Sequence, residues 1–258
     1  MKCSTHGGPE PCPSGKWFCG LYDPQCEGHQ KPTKRCEEGA ADWHYYRWFN
    51  PTAANSIIQI LRSPAAQRVS FKLGIIKVDG AGLQTVARLV EQGRILVTHE
   101  PVLDWSSSYH HEMNAWGVGK RTISTMSQEA LVVHEAVHAL NDWHHLQVNA
   151  RDDEAAGYIA QMIYHHHKQP GRFVQPVAGA RITYATNTVV LQCGRQPGSK
   201  FCDAAVFGLA ALIGQSFMTG QAPPPSSLDQ LRDAISRHAY YREIPGIRSN
   251  SNRSYGGV

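Results

Sequence analysis

The sequence has no long hydrophobic run and no stretch that is dense in charge of one sign. Its longest apolar segment, AAVFGLAALIG at 204–214, is shorter than the roughly 20 residues that cross a bilayer. We therefore expect a buried helix there and no membrane span. Lysine and arginine are scattered, and the formal net charge of +4 is small for 258 residues, so the composition does not indicate a nucleic-acid partner.

Secretory and zinc-ribbon signals are also missing. The first residues, MKCSTHGGPEPCPSG, lack the apolar stretch of a signal peptide, so we expect cytoplasmic synthesis without a cleaved leader. None of the seven cysteines follows a C-x2-C spacing, which argues against a zinc ribbon.

The cysteines are unevenly placed along the chain. Cys193 and Cys202 bracket a turn-rich loop, where a disulfide is the favoured interpretation. The other five lie near the start, and their odd number leaves at least one thiol free or paired elsewhere: Cys3, Cys12, Cys19, Cys26 and Cys36. Two alternatives follow, a reducing cytoplasm with free thiols or export by a route that needs no cleaved leader.

Composition and periodicity divide the chain into three parts. Residues 1–40 are rich in proline, glycine and cysteine, and we predict a loop-dominated segment. Residues 41–247 carry helical and strand periodicities, which predict a single α+β domain with helices beside a small mixed sheet. The polar residues 248–258 predict a flexible tail.

Turn and capping signals place the elements of this domain. Asn50-Pro51 predicts a helix start, and Thr125 with Gln128 predicts a capping box at the start of another helix. The remaining elements are predicted as strands at 71–80 (ending in an Asp-Gly turn), 94–102, NAWGV, RTIST, RITYAT and TVVLQC, and as helices at 81–93, 152–168 (capped by Asp152), 204–219 and LDQLRDAISRHAY.

The helix that follows Thr125 carries the motif HEAVH within the run LVVHEAVHALNDW at 131–143. Positions four apart lie on one helical face, so His134 and His138 project side by side and can bind one ion. Glu135 lies one step round the helix, within reach of a water on that ion. This pattern is typical of a metal-assisted hydrolase, in which two imidazoles hold zinc and a carboxylate takes a proton from water.

The alternative is a core helix whose polar residues are incidental, since the chain has 14 histidines. The residues that flank the motif are almost all apolar, however. Burying two histidines and a glutamate among them is costly unless these residues serve a purpose. A metal site is therefore the favoured interpretation.

HEAVHAL resembles the active-site helix of the zincin metallopeptidases, the HExxH enzymes. RDDEAAGYIAQMIY at 151–164 resembles the second helix of the gluzincins, in which a glutamate completes the metal site. The resemblance implies a zincin-like fold in which His134, His138 and Glu154 bind Zn²⁺. It also implies that Glu135 is the general base and then the general acid, acting on a peptide or protein substrate.

The match to the gluzincins is not complete. Tyr158 stands four residues after Glu154, where many gluzincins place an aspartate that orients a zinc-bound histidine. Asp153 and Asp152 are alternative third ligands, as in the aspartate-type zincins. The stretch NAWG at 114–117 faintly resembles the edge strand that borders the substrate cleft of zincins.

Hydrolysis of a peptide bond is expected to need a further hydrogen-bond donor in the transition state. Residue type alone selects the candidates, and the sequence does not choose among them. They are Tyr158, Tyr109, His110, His111, His238 and Tyr240.

These features predict a zinc-dependent hydrolase, and within that class a metallopeptidase. The rest of the chain resembles uncharacterised bacterial proteins, which together with the cysteines favours a secreted bacterial effector or toxin. Two alternatives stay open. One is a non-catalytic zinc-binding module that acts by binding partners, and the other is a disulfide-stapled toxin or adhesion protein whose HExxH is incidental.

Overall fold

The structure is a computed structural model that describes residues 10–11, 17–18, 48–100, 103, 106–170, 204–238, 241 and 252–254. Within the predicted loop segment 1–40, two short strands form an antiparallel pair. The predicted disulfide between Cys193 and Cys202 lies outside the described residues, as do the strands predicted at RITYAT and TVVLQC.

The described residues form an α+β fold of six α-helices and small sheets. The strands are β1 (Glu10–Pro11), β2 (Trp17–Phe18), β3 (Trp48–Phe49), β4 (Phe71–Leu73), β5 (Ile76–Val78), β6 (Leu96–His99), β7 (Ser107–His110), β8 (Ala115–Val118), β9 (Gln147–Asn149) and β10 (Asn252–Ser254). The helices are α1 (Pro51–Leu61), α2 (Gly80–Glu91), α3 (Met126–Trp143), α4 (Ala150–Lys168), α5 (Ala204–Met218) and α6 (Ser227–Arg237).

The largest sheet has four strands in the order β3-β6-β8-β7. β6 and β8 run parallel, whereas β3 and β7 pair antiparallel with their neighbours. The sheet is therefore small and mixed, as expected. β7 lies at one edge of the sheet, and α3 packs against it.

Short polar side chains begin α1 and α2. Asn50 Oδ1 accepts the backbone N–H of Ala53 at 3.0 Å, and Pro51 is the first residue of α1, as predicted. Asp79 Oδ1 accepts the backbone N–H of Gly82 at 2.8 Å and begins α2. Each cap satisfies a backbone donor that the helix itself leaves without an acceptor.

The chain reverses before α2, in a hairpin between β4 and β5. Gly74 adopts a φ of +58° in its turn, a conformation that glycine takes without steric cost. The prediction of one strand over 71–80 that ends in an Asp-Gly turn is therefore wrong. Aspartate suits a helix N-cap as well as a turn, and Asp79 serves as the cap.

α3 begins with the predicted capping box. Thr125 Oγ1 accepts the N–H of Gln128 at 3.3 Å, and Gln128 Oε1 accepts the N–H of Thr125 at 3.1 Å. From Ala130 to Asp142 the helix is then almost entirely buried, because it packs against α1, α2, α4 and β7. The HEAVH motif therefore lies in the core of the fold.

α4 packs against α3 and begins at Ala150, two residues before the predicted start. Asn149 is its cap, since Asn149 Oδ1 accepts the N–H of Arg151 at 2.9 Å. Asp152, the predicted cap, instead pairs with Arg232 of α6 at 2.5 Å. This ion pair connects α6 to the first turn of α4.

Two other short segments differ from their predictions. RTIST is not a strand, because these residues form the bend that leads into the capping box of α3. In the tail predicted as flexible at 248–258, the strand β10 pairs antiparallel with β9. That pairing places the strand beside the connection between α3 and α4.

α5 corresponds to the apolar segment predicted as a buried helix. It packs on α4 and α6, and its side chains Val206, Ala210 and Ile213 are fully buried. No helix within the described ranges combines the length and the apolar character needed to cross a bilayer.

Thr125→Ala is expected to lower the free energy of unfolding by about 1 kcal/mol, because the N–H of Gln128 loses its side-chain acceptor. Thr125→Ser keeps the hydroxyl and should remain within about 0.5 kcal/mol of wild type. Urea unfolding followed by far-UV circular dichroism measures both variants. Equal stability of the two would show that the capping box contributes nothing.

Candidate metal centre

Three side chains from α3 and α4 converge in the core. His134 and His138 project from α3 with their ring centroids 5.0 Å apart. Glu154 Oε2 of α4 lies 3.4 Å from His134 Nε2 and 3.8 Å from His138 Nε2. The structure thus brings together the three residues that the sequence selects as ligands.

The spacing of this cluster suits a metal ion. One ligand atom from each of the three residues lies within 4.8 Å of the others. Ligand atoms at zinc bond lengths, arranged as a tetrahedron, are about 3.4 Å apart, close to the two separations between carboxylate and imidazole. Two imidazoles and a carboxylate are also donors that divalent cations accept, so the cluster could hold a metal ion.

The outer nitrogen of each imidazole has a partner of its own. His138 Nδ1 lies 3.0 Å from Asp153 Oδ2, a close ion pair rather than an aligned hydrogen bond. Asp153 Oδ1 in turn accepts Nδ2 of Asn141 at 2.8 Å. His134 Nδ1 lies 3.3 Å from Gln161 Oε1. Such partners fix the ring orientation and leave Nε2 for a metal.

Burial and charge act in opposite directions on the protonation of the centre. Burial lowers the pKa of His138, but the carboxylates of Asp153 and Glu154 outweigh it and raise that pKa to about 9. Burial also raises the pKa of Glu135, against the opposing effect of the nearby histidines. The two carboxylates on α4 therefore favour positive charge between α3 and α4.

The two aspartates considered as alternative ligands do not join the cluster. Asp153 contacts His138 at Nδ1, on the side of the ring away from Nε2. Asp152 pairs with Arg232. Among the described residues, the group of three that could hold an ion contains neither of them. The structure therefore places Asp153 and Asp152 outside the group of side chains that could hold an ion.

Tyr158 occupies the position where many gluzincins have an aspartate. Its ring meets the imidazole of His134 edge to face, with a centroid distance of 4.6 Å and an angle of 88° between the planes. The polar partner of His134 is supplied three residues further along α4 by Gln161. A neutral amide thus replaces the expected carboxylate.

α4 can approach His134 this closely because residue 157 is glycine. A Cβ on Gly157 would lie 2.7 Å from His134 Nε2, a separation too short for close-packed atoms. Glycine costs a helix interior about 1 kcal/mol relative to alanine, so helix formation does not account for this residue. A lone glycine inside a helical pattern is the sequence signal for such an approach.

Glu135 lies beside the cluster rather than in it. Its Oε2 accepts the backbone N–H of Tyr109 in β7 at 2.7 Å. The charges of His134, His138 and Glu154 act on its carboxyl group. Glu135 is therefore held between the edge strand and the candidate ion site.

The strand that borders this site is β7, not the stretch NAWG. Residues Ala115–Val118 form β8, which lies between β6 and β7 and is buried throughout. Trp116 is fully buried, and its Nε1 donates to Ser107 Oγ at 2.8 Å. The prediction of NAWG as an edge strand is therefore wrong, because a strand without polar alternation belongs inside a sheet.

Two of the three tyrosines proposed as transition-state donors have other partners. Tyr109 donates its hydroxyl to Asp142 Oδ2 at 2.6 Å. The hydroxyl of Tyr158 lies 3.1 Å from the hydroxyl of Tyr241. Tyr240 lies outside the described residues.

The histidines proposed for the same role lie in different places. His110 Nε2 is 3.4 Å from Glu100 Oε2, and His111 begins a 3-10 turn. His238 is buried with its ring centroid 5.4 Å from that of Tyr241. None of these three is part of the candidate cluster that the described residues form.

Tyr241 reaches the cluster, although the sequence candidates do not include it. Its hydroxyl forms hydrogen bonds with Glu154 and with Tyr158. Burial, and then the charge of Glu154, raises the pKa of Tyr241 well above its ordinary value. The hydroxyl is therefore neutral and available as a donor.

The buried face of α6 is the signal that identifies Tyr241. Buried residues recur along this face and continue beyond the end of the helix at the same spacing of three to four positions. They are Leu231, Ala234, Ile235, His238 and Tyr241. Extending this spacing leads to Tyr241 rather than to its neighbour Tyr240.

Comparison of the chain with protein-family models, with curated proteins and with solved structures finds no match. The interpretation of the centre therefore depends on its own residues and on the resemblance of HEAVHAL to the zincins.

Gly157→Ala is expected to weaken zinc binding and to lower the stability of the metal-free protein, because the new Cβ would meet His134 Nε2. The same change in a His134→Ala background should stabilise the protein by up to about 1 kcal/mol, since alanine is the better helix former and the clash is gone. Urea unfolding of wild type, Gly157→Ala, His134→Ala and the double variant measures the effect of Gly157→Ala in both backgrounds.

Isothermal titration with Zn²⁺ gives the affinities of wild type and Gly157→Ala. Equal stabilisation by Gly157→Ala in both backgrounds, with an unchanged zinc affinity, would show that the imidazole does not need the space at residue 157.

Proposed function

We propose that the protein is a zinc-dependent hydrolase that cleaves peptide bonds in a peptide or protein substrate. One observation carries this proposal: Glu135 lies next to the buried cluster of His134, His138 and Glu154 without being one of its ligands. A carboxylate so placed can exchange protons with water while the other three side chains hold an ion. The resemblance of HEAVHAL to the zincin helix supports the same function.

Zinc is the proposed ion because the donor set matches zinc chemistry. Two histidines and one glutamate provide three protein ligands, as in the catalytic zinc sites that keep one position for water. When bound, zinc lowers the pKa of water and polarises a carbonyl group.

Glu135 is the proposed general base and then the general acid. One of its carboxylate oxygens, Oε2, is held by the N–H of Tyr109, which fixes the orientation of the group. The carboxylate takes a proton from the attacking water and later gives it to the leaving amine. Because α3 and β7 both hold Glu135, the proton acceptor stays in place during the reaction.

β7 is the proposed place for an extended substrate. In the described residues it is one of the two edge strands of the four-stranded sheet, and it contacts α3. A peptide can bind such an edge by adding a strand. The contact between Tyr109 and Glu135 would then place the proton acceptor beside the substrate backbone.

A non-catalytic zinc-binding module is the second candidate, and the burial of the ligands favours it. His134, His138 and Glu154 are only 2%, 6% and 5% exposed. Structural zinc sites are closed to solvent in this way, whereas catalytic sites keep an open position. The two functions differ in what Glu135 does.

Glu135→Gln is expected to retain zinc and to lose at least about a hundredfold in turnover, because the amide cannot accept a proton. Glu154→Gln should lose the metal and the activity together, since the anionic ligand is gone. Zinc content by inductively coupled plasma mass spectrometry and cleavage of a fluorogenic peptide library measure the two properties. Glu91→Gln, at an exposed position, is the control and should change neither.

Full turnover by zinc-loaded Glu135→Gln would contradict the proposed role of Glu135. Zinc-loaded wild type that cleaves no peptide of the library would contradict the hydrolase and support the non-catalytic module. Absence of bound zinc in refilled wild type would contradict both functions.

A further inference from the structure

We propose that Tyr241, which follows α6, is a positioning residue of the metal centre whose hydroxyl holds the carboxylate of Glu154. This inference rests on the proposed metal site and adds to it a third segment of the chain. The observation behind it is a closed ring of contacts, which runs from His134 through Tyr158 and Tyr241 to Glu154.

α6 carries Tyr241 to the cluster. The helix packs against α4, and the ion pair between Arg232 and Asp152 ties it next to the turn that bears Glu154. Beyond the helix, the N–H of Tyr241 donates to the carbonyl of His238 at 3.0 Å. This turn directs Tyr241 back into the core, where it is 7% exposed.

Tyr158 and Tyr241 together connect the imidazole of His134 with the carboxylate of Glu154. Tyr158 meets His134 edge to face on one side, and its hydroxyl lies 3.1 Å from that of Tyr241. Phe207 of α5 packs on the other side of this arrangement, with a centroid distance of 5.3 Å to Tyr158. The position of Tyr158 is therefore determined by packing, and it holds Tyr241 in turn.

The direction of the hydrogen bonds follows from the number of protons. A tyrosine hydroxyl has one proton to donate, and an ionised carboxylate only accepts. Tyr241 therefore donates to Glu154, and Tyr158 donates to the oxygen of Tyr241. A charge-assisted bond of this kind is stronger than one between neutral groups.

The hydroxyl of Tyr241 thus restricts how the carboxylate can rotate. Glu154 Oε2 is the oxygen that lies near both imidazoles, and a metal ligand needs one fixed orientation to bind tightly. Removing an outer hydrogen bond of this type costs about tenfold to a hundredfold in metal affinity. Tyr241→Phe tests this, because it removes the hydroxyl and keeps the ring.

The experiment compares wild type, Tyr241→Phe, Tyr158→Phe and Tyr164→Phe. Competition with a chromophoric chelator at constant pH gives the Kd for Zn²⁺. Tyr241→Phe should raise the Kd by about tenfold or more. Tyr158→Phe should raise it less, because Tyr241 still donates its hydroxyl proton to Glu154 in that variant. Tyr164 is a buried tyrosine of α4 whose hydroxyl donates to Glu129, so Tyr164→Phe should leave the Kd unchanged.

A second measurement needs no metal. The shift of the urea midpoint caused by Tyr241→Phe should be smaller in a Glu154→Gln background, because the charged acceptor is already absent. Equal shifts in both backgrounds would overturn the proposed bond between the two residues, even if Tyr241→Phe is too unstable for titration.

The outcomes separate this inference from the proposed function. An unchanged Kd for Tyr241→Phe, with zinc bound by wild type, overturns the positioning role and leaves the hydrolase proposal intact. An equal rise for Tyr164→Phe also overturns it, since the effect would be general. Failure of wild type to bind zinc overturns both.

Discussion

The candidate centre depends on one close approach, that of the α4 backbone to the imidazole of His134. Gly157 permits it, because any side chain there would overlap His134 Nε2. The approach brings Glu154 within 4 Å of both imidazoles and lets Asp153 and Gln161 reach their outer nitrogens. Without it the two helices would separate, and the buried polar groups would lose their partners at a cost of about 1–3 kcal/mol each.

Polar groups in this core are stabilised as a network and not one by one. Asn141 supports Asp153, Asp153 supports His138, and Gln161 supports His134. A half-satisfied network in a region of low dielectric is less stable than an apolar core. These contacts offset the burial of two histidines and three carboxylates, and a polar network of this kind supports a role that apolar residues cannot fill.

Features that depend on neighbouring residues were predictable from the sequence, and features that depend on distant ones were not. The capping box of α3 and the shared face of His134 and His138 follow from helical spacing, and Glu154 follows from the resemblance to the gluzincin helix. Gly157 and Tyr241 act through contacts between elements, so a lone glycine in α4 and the spacing along α6 mark the two positions but do not identify their partners. NAWG was assigned to the wrong strand position because sheet order comes from tertiary packing, although its uninterrupted apolar pattern indicates an inner strand.

The centre is assembled from segments that lie very differently along the chain. α3, β9 and α4 follow one another directly, whereas Tyr158 and Tyr241 are 83 positions apart. Loop-closure entropy rises with the length of chain that a contact closes, so the contact between these two tyrosines costs more conformational entropy than the contacts between α3 and α4. The three ligands are thus joined through a short stretch of chain, whereas the tyrosine that contacts Glu154 is joined to them through a long one.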